Sequence, residues 1–195
     1  MKKEIKIALT GEMRTGKDTV AEYLEDKYIL SPFAFGDELK KDFHLQNPHI
    51  PRFPKPVKGY QLHGQYKRYT HGEDIWINLC FDQINKIRRV AQNYNITGSE
   101  AVFSPLITDL RQPNELERLR AEGYIIIRVE APLEVRIERM KAAGDEFDEN
   151  NLNFETEKHV KDFEVDYIIQ NDTTLEALYY NIDMIMFNIT GEKLN

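Results

Sequence analysis

Residues 9–19 read LTGEMRTGKDT, and how this stretch is read decides the fold. Gly11, four residues, then Gly16-Lys17 is the spacing of a loop that wraps phosphate groups. Its glycines admit backbone geometries closed to other residues and let N–H groups turn inward on an anion. Upstream, Ile5, Ile7, Ala8 and Leu9 form a short apolar run suited to a buried strand. Downstream, Val20, Ala21 and Leu24 recur on one face of a helix that begins near Lys17. Strand, glycine turn and helix start therefore come in the order phosphate binding requires. One position departs from the pattern. The Ser or Thr that usually follows the lysine and binds magnesium is replaced by Asp18, with Thr19 behind it.

Outward from the loop, strands and helices alternate. Strands are expected at 28–35, 101–108, 124–129 and 166–170, and helices at 37–43, 73–94, 114–121 and 133–143. A last helix carries Leu175, Leu178, Tyr179, Ile182, Met186 and Ile189 on one stripe. Prolines at 48, 51, 54 and 56 forbid a regular helix over 47–60 and imply an exposed excursion. Residues 144–153, GDEFDENNLN, are acidic and rich in asparagine, a composition suited to a mobile lid. The expected architecture is α/β: a P-loop NTPase fold of three α/β/α layers, with a five-stranded parallel sheet and a small lid. It is one domain over 1–195, with an acceptor-binding excursion at about 36–94 and the lid at about 136–156.

Bulk properties narrow the function classes. The chain has 195 residues, 41% hydrophobic and 30% charged, values of an ordinary globular protein. Its net charge of −7 argues against coating a nucleic acid polymer, although a small cationic pocket can sit within an acidic body. A single cysteine, Cys80, excludes an intramolecular disulfide and fits a cytoplasmic location. No stretch reaches the ~18 apolar residues of a membrane span, and the N-terminus lacks a signal-peptide pattern. His44, His49, His63 and His71 lack zinc spacing, and Cys80 lies on an apolar helix face as a packing residue.

Further stretches can carry chemistry. Ligands gather at the carboxyl ends of strands in open parallel sheets. Asp109 in ITDLR ends the third strand, where a carboxylate can hold magnesium through water, and Arg111 can fork onto a phosphate. Arg136 and Arg139, three apart on one helix face, can neutralise a phosphoryl group in transfer. Arg68, Asp74 and Trp76 place a basic group beside aromatics.

The motifs GEMRTGKDT at 11–19, FGDELK at 35–40, DIW at 74–76, TDLRQPNE at 108–115 and DYIIQN at 166–171 occur in this order. Together they resemble the phage-type deoxynucleoside monophosphate kinases, in the adenylate-kinase-like branch of P-loop kinases, over residues 4 to about 190. The Gly-Lys-Asp ending is also found in animal phosphomevalonate kinases, and the general layout in dephospho-coenzyme A kinases. The resemblance implies transfer of the ATP γ-phosphate to a nucleoside or deoxynucleoside monophosphate with Mg2+. It implies ATP on Gly11, Arg14, Thr15, Gly16, Lys17, Asp18, Thr19 and Asn171, and the acceptor on Asp37, Lys40, Arg68, Trp76 and Arg111. Lys17, Asp109, Arg136 and Arg139 would act in catalysis. Asp18 binds magnesium or serves the helix N-terminus, and Asp109 is the second candidate for the metal. The expected partner is a small-molecule nucleotide, with no nucleic acid polymer or membrane, for a monomer or homodimer. A GTP-dependent switch is excluded, because 109–112 (DLRQ) and 85–88 (NKIR) match neither the switch nor the base-reading motif. The remaining rival is a nucleotide-binding regulator without catalysis.

Overall fold

The computed structural model of the chain describes residues 4–95, 102–144 and 159–191. They separate into two compact units: Glu4 with Phe33–Phe103, and Ile5–Pro32 with the residues from Ser104 onward.

The second unit is built on a parallel sheet of five strands: β1 (Ile7–Thr10), β2 (Ser31–Phe33), β3 (Pro105–Leu110), β4 (Ile125–Glu130) and β5 (Tyr167–Gln170). Their spatial order is β2-β3-β1-β4-β5. β1 is central, with Ile7 opposite Leu106 on one side and Ile125 on the other. All four residues of β1 are buried, as a strand covered on both faces must be. Helices α1 (Lys17–Tyr28), α5 (Pro113–Ala121), α6 (Leu133–Ala142) and α7 (Leu175–Thr190) complete a three-layer α/β/α fold of the P-loop type.

The core follows from the alternation of side chains along each strand. Ile7, Leu9, Leu106, Ile127, Val129 and Ile169 meet Val20 and Leu24 of α1 and Leu178, Ile182 and Met186 of α7. A polar tie reinforces this layer. Asp183 accepts hydrogen bonds from Tyr28 (2.7 Å), Lys27 (2.8 Å) and Tyr23 (2.9 Å), and Tyr23 stacks on Tyr179 at 4.0 Å. Burial alone would raise the Asp183 carboxyl, but these donors outweigh it and hold the group below its ordinary value. Truncating the centre of this core should be costly. Ile127→Ala is expected to destabilise the protein by about 3 kcal/mol and lower the melting temperature by roughly 10 °C, as read by calorimetry.

The first unit is helical: α2 (Phe35–Gln46), α3 (Val57–His71) and α4 (Ile75–Asn95). Phe43 is edge-on to Tyr60 and His63, and Phe35 lies beside Phe81. Glycines allow the close approach of α3: a Cβ on Gly59 would meet the Phe43 ring at 2.8 Å, and one on Gly64 the Leu39 methyl at 2.6 Å.

Three sequence expectations are corrected. The strand expected over 28–35 shrinks to Ser31–Phe33, because α1 continues through Tyr28 and Phe35 already opens α2. The excursion over 47–60 gives way at Val57 to α3, since proline is tolerated before a helix and only its interior excludes it. Ile87 and Leu175, expected on apolar faces, are 43% and 50% exposed. The lid expected at 144–153 lies, apart from Gly144, outside the described residues. Among the described residues, no helix is long and apolar enough to cross a membrane.

Candidate active site

The stretch between β1 and α1 forms the loop the sequence implies. Gly11 has φ 144° and Gly16 φ 96°. A Cβ at Gly11 would overlap the Val129 carbonyl, and one at Gly16 the Asn171 amide. Both glycines are thus required by conformation and by space. Arg14 adds a left-handed turn, φ 62°, within the same loop.

The chain's own side chains fix the loop carbonyls in sequence. Lys17, only 9% exposed, donates from Nζ to the carbonyls of Gly11 (2.7 Å) and Glu12 (2.8 Å). Arg136 Nε donates to the Met13 carbonyl at 2.8 Å. Arg139 Nη1 donates to the Arg14 and Thr15 carbonyls, both at 3.2 Å. Asn171 Nδ2 donates to the Thr15 carbonyl at 2.8 Å, and Arg139 Nη2 returns to the Asn171 carbonyl at 3.1 Å. In a trans peptide, the N–H points opposite to the preceding carbonyl. Holding the Met13 and Thr15 carbonyls toward α6 and Asn171 therefore aims the N–H groups of Arg14 and Gly16 the other way, as an anion nest needs. The donors this loop can offer an anion are its inward N–H groups and the Lys17 ammonium.

The other expected residues of this unit surround that loop. Asp18 is exposed in the first turn of α1, where its charge meets the helix dipole, and Thr19 is half-buried behind it. Asp109 and Thr108 lie half-buried at the carboxyl end of β3, which pairs with the end of β1 that feeds the loop. Arg111 follows directly. Its backbone N–H, like that of Gln112, donates to the buried Glu115 carboxylate at 2.8 and 3.0 Å. Sequence reasoning missed Glu115, which holds the backbone ahead of α5, although the spacing of Gln112 and Glu115 is that of a capping box.

A cavity of about 440 Å3 opens beside the loop, lined by Gly11, Glu12, Arg128, Glu130, Lys161 and Gln170. Arg128 holds Glu130 at 2.7 Å and the Phe163 carbonyl at 2.9 Å, tying the segment from His159 onward to β4. Burial would raise the Glu130 carboxyl, but Arg128 and Gln170 prevail and lower it. Glu12 is the second residue that sequence reasoning missed. Its carboxylate meets Arg136 Nη1 at 2.7 Å and Lys161 Nζ at 3.3 Å. Contacts spanning more than a hundred residues leave no local signal.

In the helical unit, Asp37 and Lys40 pair with each other at 2.7 Å on an exposed face of α2. Arg68 is half-buried in the last turn of α3. Trp76 departs from the expected ligand-facing ring. It is 2% exposed, and its indole N–H donates to the Gly64 carbonyl at 3.4 Å, so it packs the unit's interior. Among the described residues, no group of three or more His, Cys, Asp or Glu is placed to hold a metal ion.

The sheet order and the pinned glycine loop define the class: this is a P-loop protein with the kinase form of the fold. More narrowly, the chain belongs to the AAA domain family, which matches residues 7–160. It is also similar to the deoxynucleotide monophosphate kinase of Escherichia phage RB69, with 34% identity over 116 residues. That match covers 59% of this chain and 41% of the phage protein, so it spans less than half of the relative's length. A sugar kinase from Janibacter sp. HTCC2649 superposes with a TM-score of 0.56 at 15% identity, covering 96% of each chain. Shikimate kinase from Acinetobacter baumannii superposes at 0.52 and 17% identity, covering 100% of this chain and 97% of that one.

Proposed function

We propose that the chain is an ATP-dependent phosphotransferase acting in the cytoplasm on a nucleoside or deoxynucleoside monophosphate. The observation that carries the transferase part is the loop itself, with its outer carbonyls clamped and Lys17 at its mouth. The similarity to the phage deoxynucleotide monophosphate kinase supports the choice of acceptor.

In this reading Lys17 and the loop N–H groups take the β- and γ-phosphates. The acceptor phosphate is already ionised, so its oxygen attacks in line without a strong general base. Positioning and charge neutralisation then do the catalysis. What a bound magnesium would supply is neutralisation of phosphate charge. Asp109, at the end of β3, and Asp18, in the first turn of α1, are the carboxylates that would hold it. Arg136 and Arg139 act by keeping the loop in shape. The side chain of Asn171 serves the same end, which leaves the exposed turn after it to face the base. Asp37, Lys40, Arg68 and Arg111 are assigned to the acceptor, and Trp76 to the interior of the helical unit.

A screen of nucleoside and deoxynucleoside monophosphates, with dephospho-coenzyme A as comparator, tests the reading through ADP release. Turnover confined to dephospho-coenzyme A would reassign the acceptor, and binding of ATP without turnover on any acceptor would make the chain a regulator. Arg111 supplies a sharper test. Lysine cannot reproduce a bidentate fork, so Arg111→Lys is expected to raise the acceptor's KM at least about tenfold and that of ATP less than about twofold. Equal effects on both substrates would remove Arg111 from the acceptor.

A further inference from the structure

We infer that Glu12 is a positioning residue of the phosphate loop, holding its geometry through Arg136 and Lys161; this rests on the phosphate-binding part of the function proposed above. A carboxylate in the second position of an anion cradle is a puzzle on charge alone, because it repels the ligand the loop is built for. Its contacts supply the reason. Arg136 is 3% exposed, and a guanidinium that deep needs a carboxylate beside it. It holds Glu12 through Nη1 at 2.7 Å and the neighbouring Met13 carbonyl through Nε at 2.8 Å. One planar group thus grips two adjacent loop residues, the first by its carboxylate and the second by the carbonyl that leads into Arg14. Lys161 reaches the same carboxylate oxygen at 3.3 Å, from the segment that Arg128 ties to β4. The Glu12 backbone carbonyl in turn accepts from Lys17 at 2.8 Å and from the Thr15 hydroxyl at 3.0 Å. Side chain and main chain of this residue therefore connect α6, the segment after His159 and the loop lysine.

The sign of one measurement separates positioning from mere proximity. If Glu12 were only a nearby negative charge, Glu12→Gln would strengthen ATP binding. If it holds the loop, the same change lets Arg136 release its grip, and binding weakens. The expected result is an ATP KM raised about tenfold, an acceptor KM changed less than about twofold, and partial recovery in Glu12→Asp, which keeps the charge. Lys161→Met should raise the ATP KM about two- to threefold in the wild-type background and not at all in Glu12→Gln. Hydrogen exchange of the peptide spanning 11–20, read without nucleotide, should quicken in Glu12→Gln while a peptide from α4 stays unchanged. An unchanged or lowered ATP KM in a turning-over enzyme overturns the inference, as does unaltered exchange across the loop. A wild-type chain that turns over no acceptor sinks the kinase reading instead, and the exchange comparison then decides the role of Glu12 alone.

Discussion

Replacing Lys17 by alanine is expected to reduce phosphoryl transfer by about a thousandfold or more, roughly 4 kcal/mol of transition-state stabilisation, while leaving the fold in place. Lys17 is the first residue of α1, and its ammonium lies against two carbonyls of the loop it follows, so its charged end serves the loop and not the apolar core. Its place at the mouth of a cradle aimed at anions puts it where negative charge grows during transfer. Alanine removes that charge and keeps good helix propensity. Single-turnover measurement with saturating ATP reads the chemical step, and a thermal melt within a few degrees of wild type shows that the scaffold survives. Near-normal turnover in a folded variant would show that the loop is not the phosphate site.

What could be read from the sequence divides along the same physical line. The strand, loop and α1 were legible because their signals are local: an apolar run, two glycines at fixed spacing, then apolar residues on one helical face. Helix α3 was not, because its packing face sets Gly59 and Gly64 beside Tyr60 and His63 against Phe43 and Leu39, while Leu62, Tyr66 and Tyr69 are exposed. A helix that packs partly through glycines and exposes several of its large side chains obscures the pattern by which helices are recognised. Trp76 shows the converse. A lone tryptophan beside basic and aromatic residues suggests a ligand, yet its ring is buried and its indole N–H donates to the Gly64 carbonyl.

The site divides likewise. Arg136 and Arg139 were legible as a pair sharing a helix face, and their targets were not, since the carbonyls of Met13, Arg14 and Thr15 lie more than 120 residues away in sequence. Backbone acceptors carry no residue signature, so an arginine that binds main chain looks the same in sequence as one that binds phosphate. The resemblance assigns Asn171 to ATP, and its amide donates to the loop. The side chains of these residues act on the loop that would hold the ligand.

That division predicts the outcome at Gly16. Gly16→Ala is expected to weaken ATP binding by at least about a hundredfold and to destabilise the protein by about 2–4 kcal/mol. Two costs add. At φ 96° an L-residue is strained whatever surrounds it, and the new methyl would occupy the position of the Asn171 amide. Asn171 is 7% exposed and short, its backbone N–H held by Glu130, so it can yield only by breaking its bond to the Thr15 carbonyl. That carbonyl shares a peptide plane with the Gly16 N–H. When it turns, the N–H leaves the direction in which it serves an anion, so strain passes into lost affinity. A second substitution separates the costs. Asn171→Ala in the Gly16→Ala background removes the clash, and should recover part of the stability in urea denaturation. It cannot restore the Thr15 carbonyl's partner, so calorimetric titration with ATP should still find binding weakened to a similar degree. Recovery of both together would mean that crowding alone had disabled the loop. Recovery of stability alone would show that the Asn171 amide is part of how the loop is held open to phosphate.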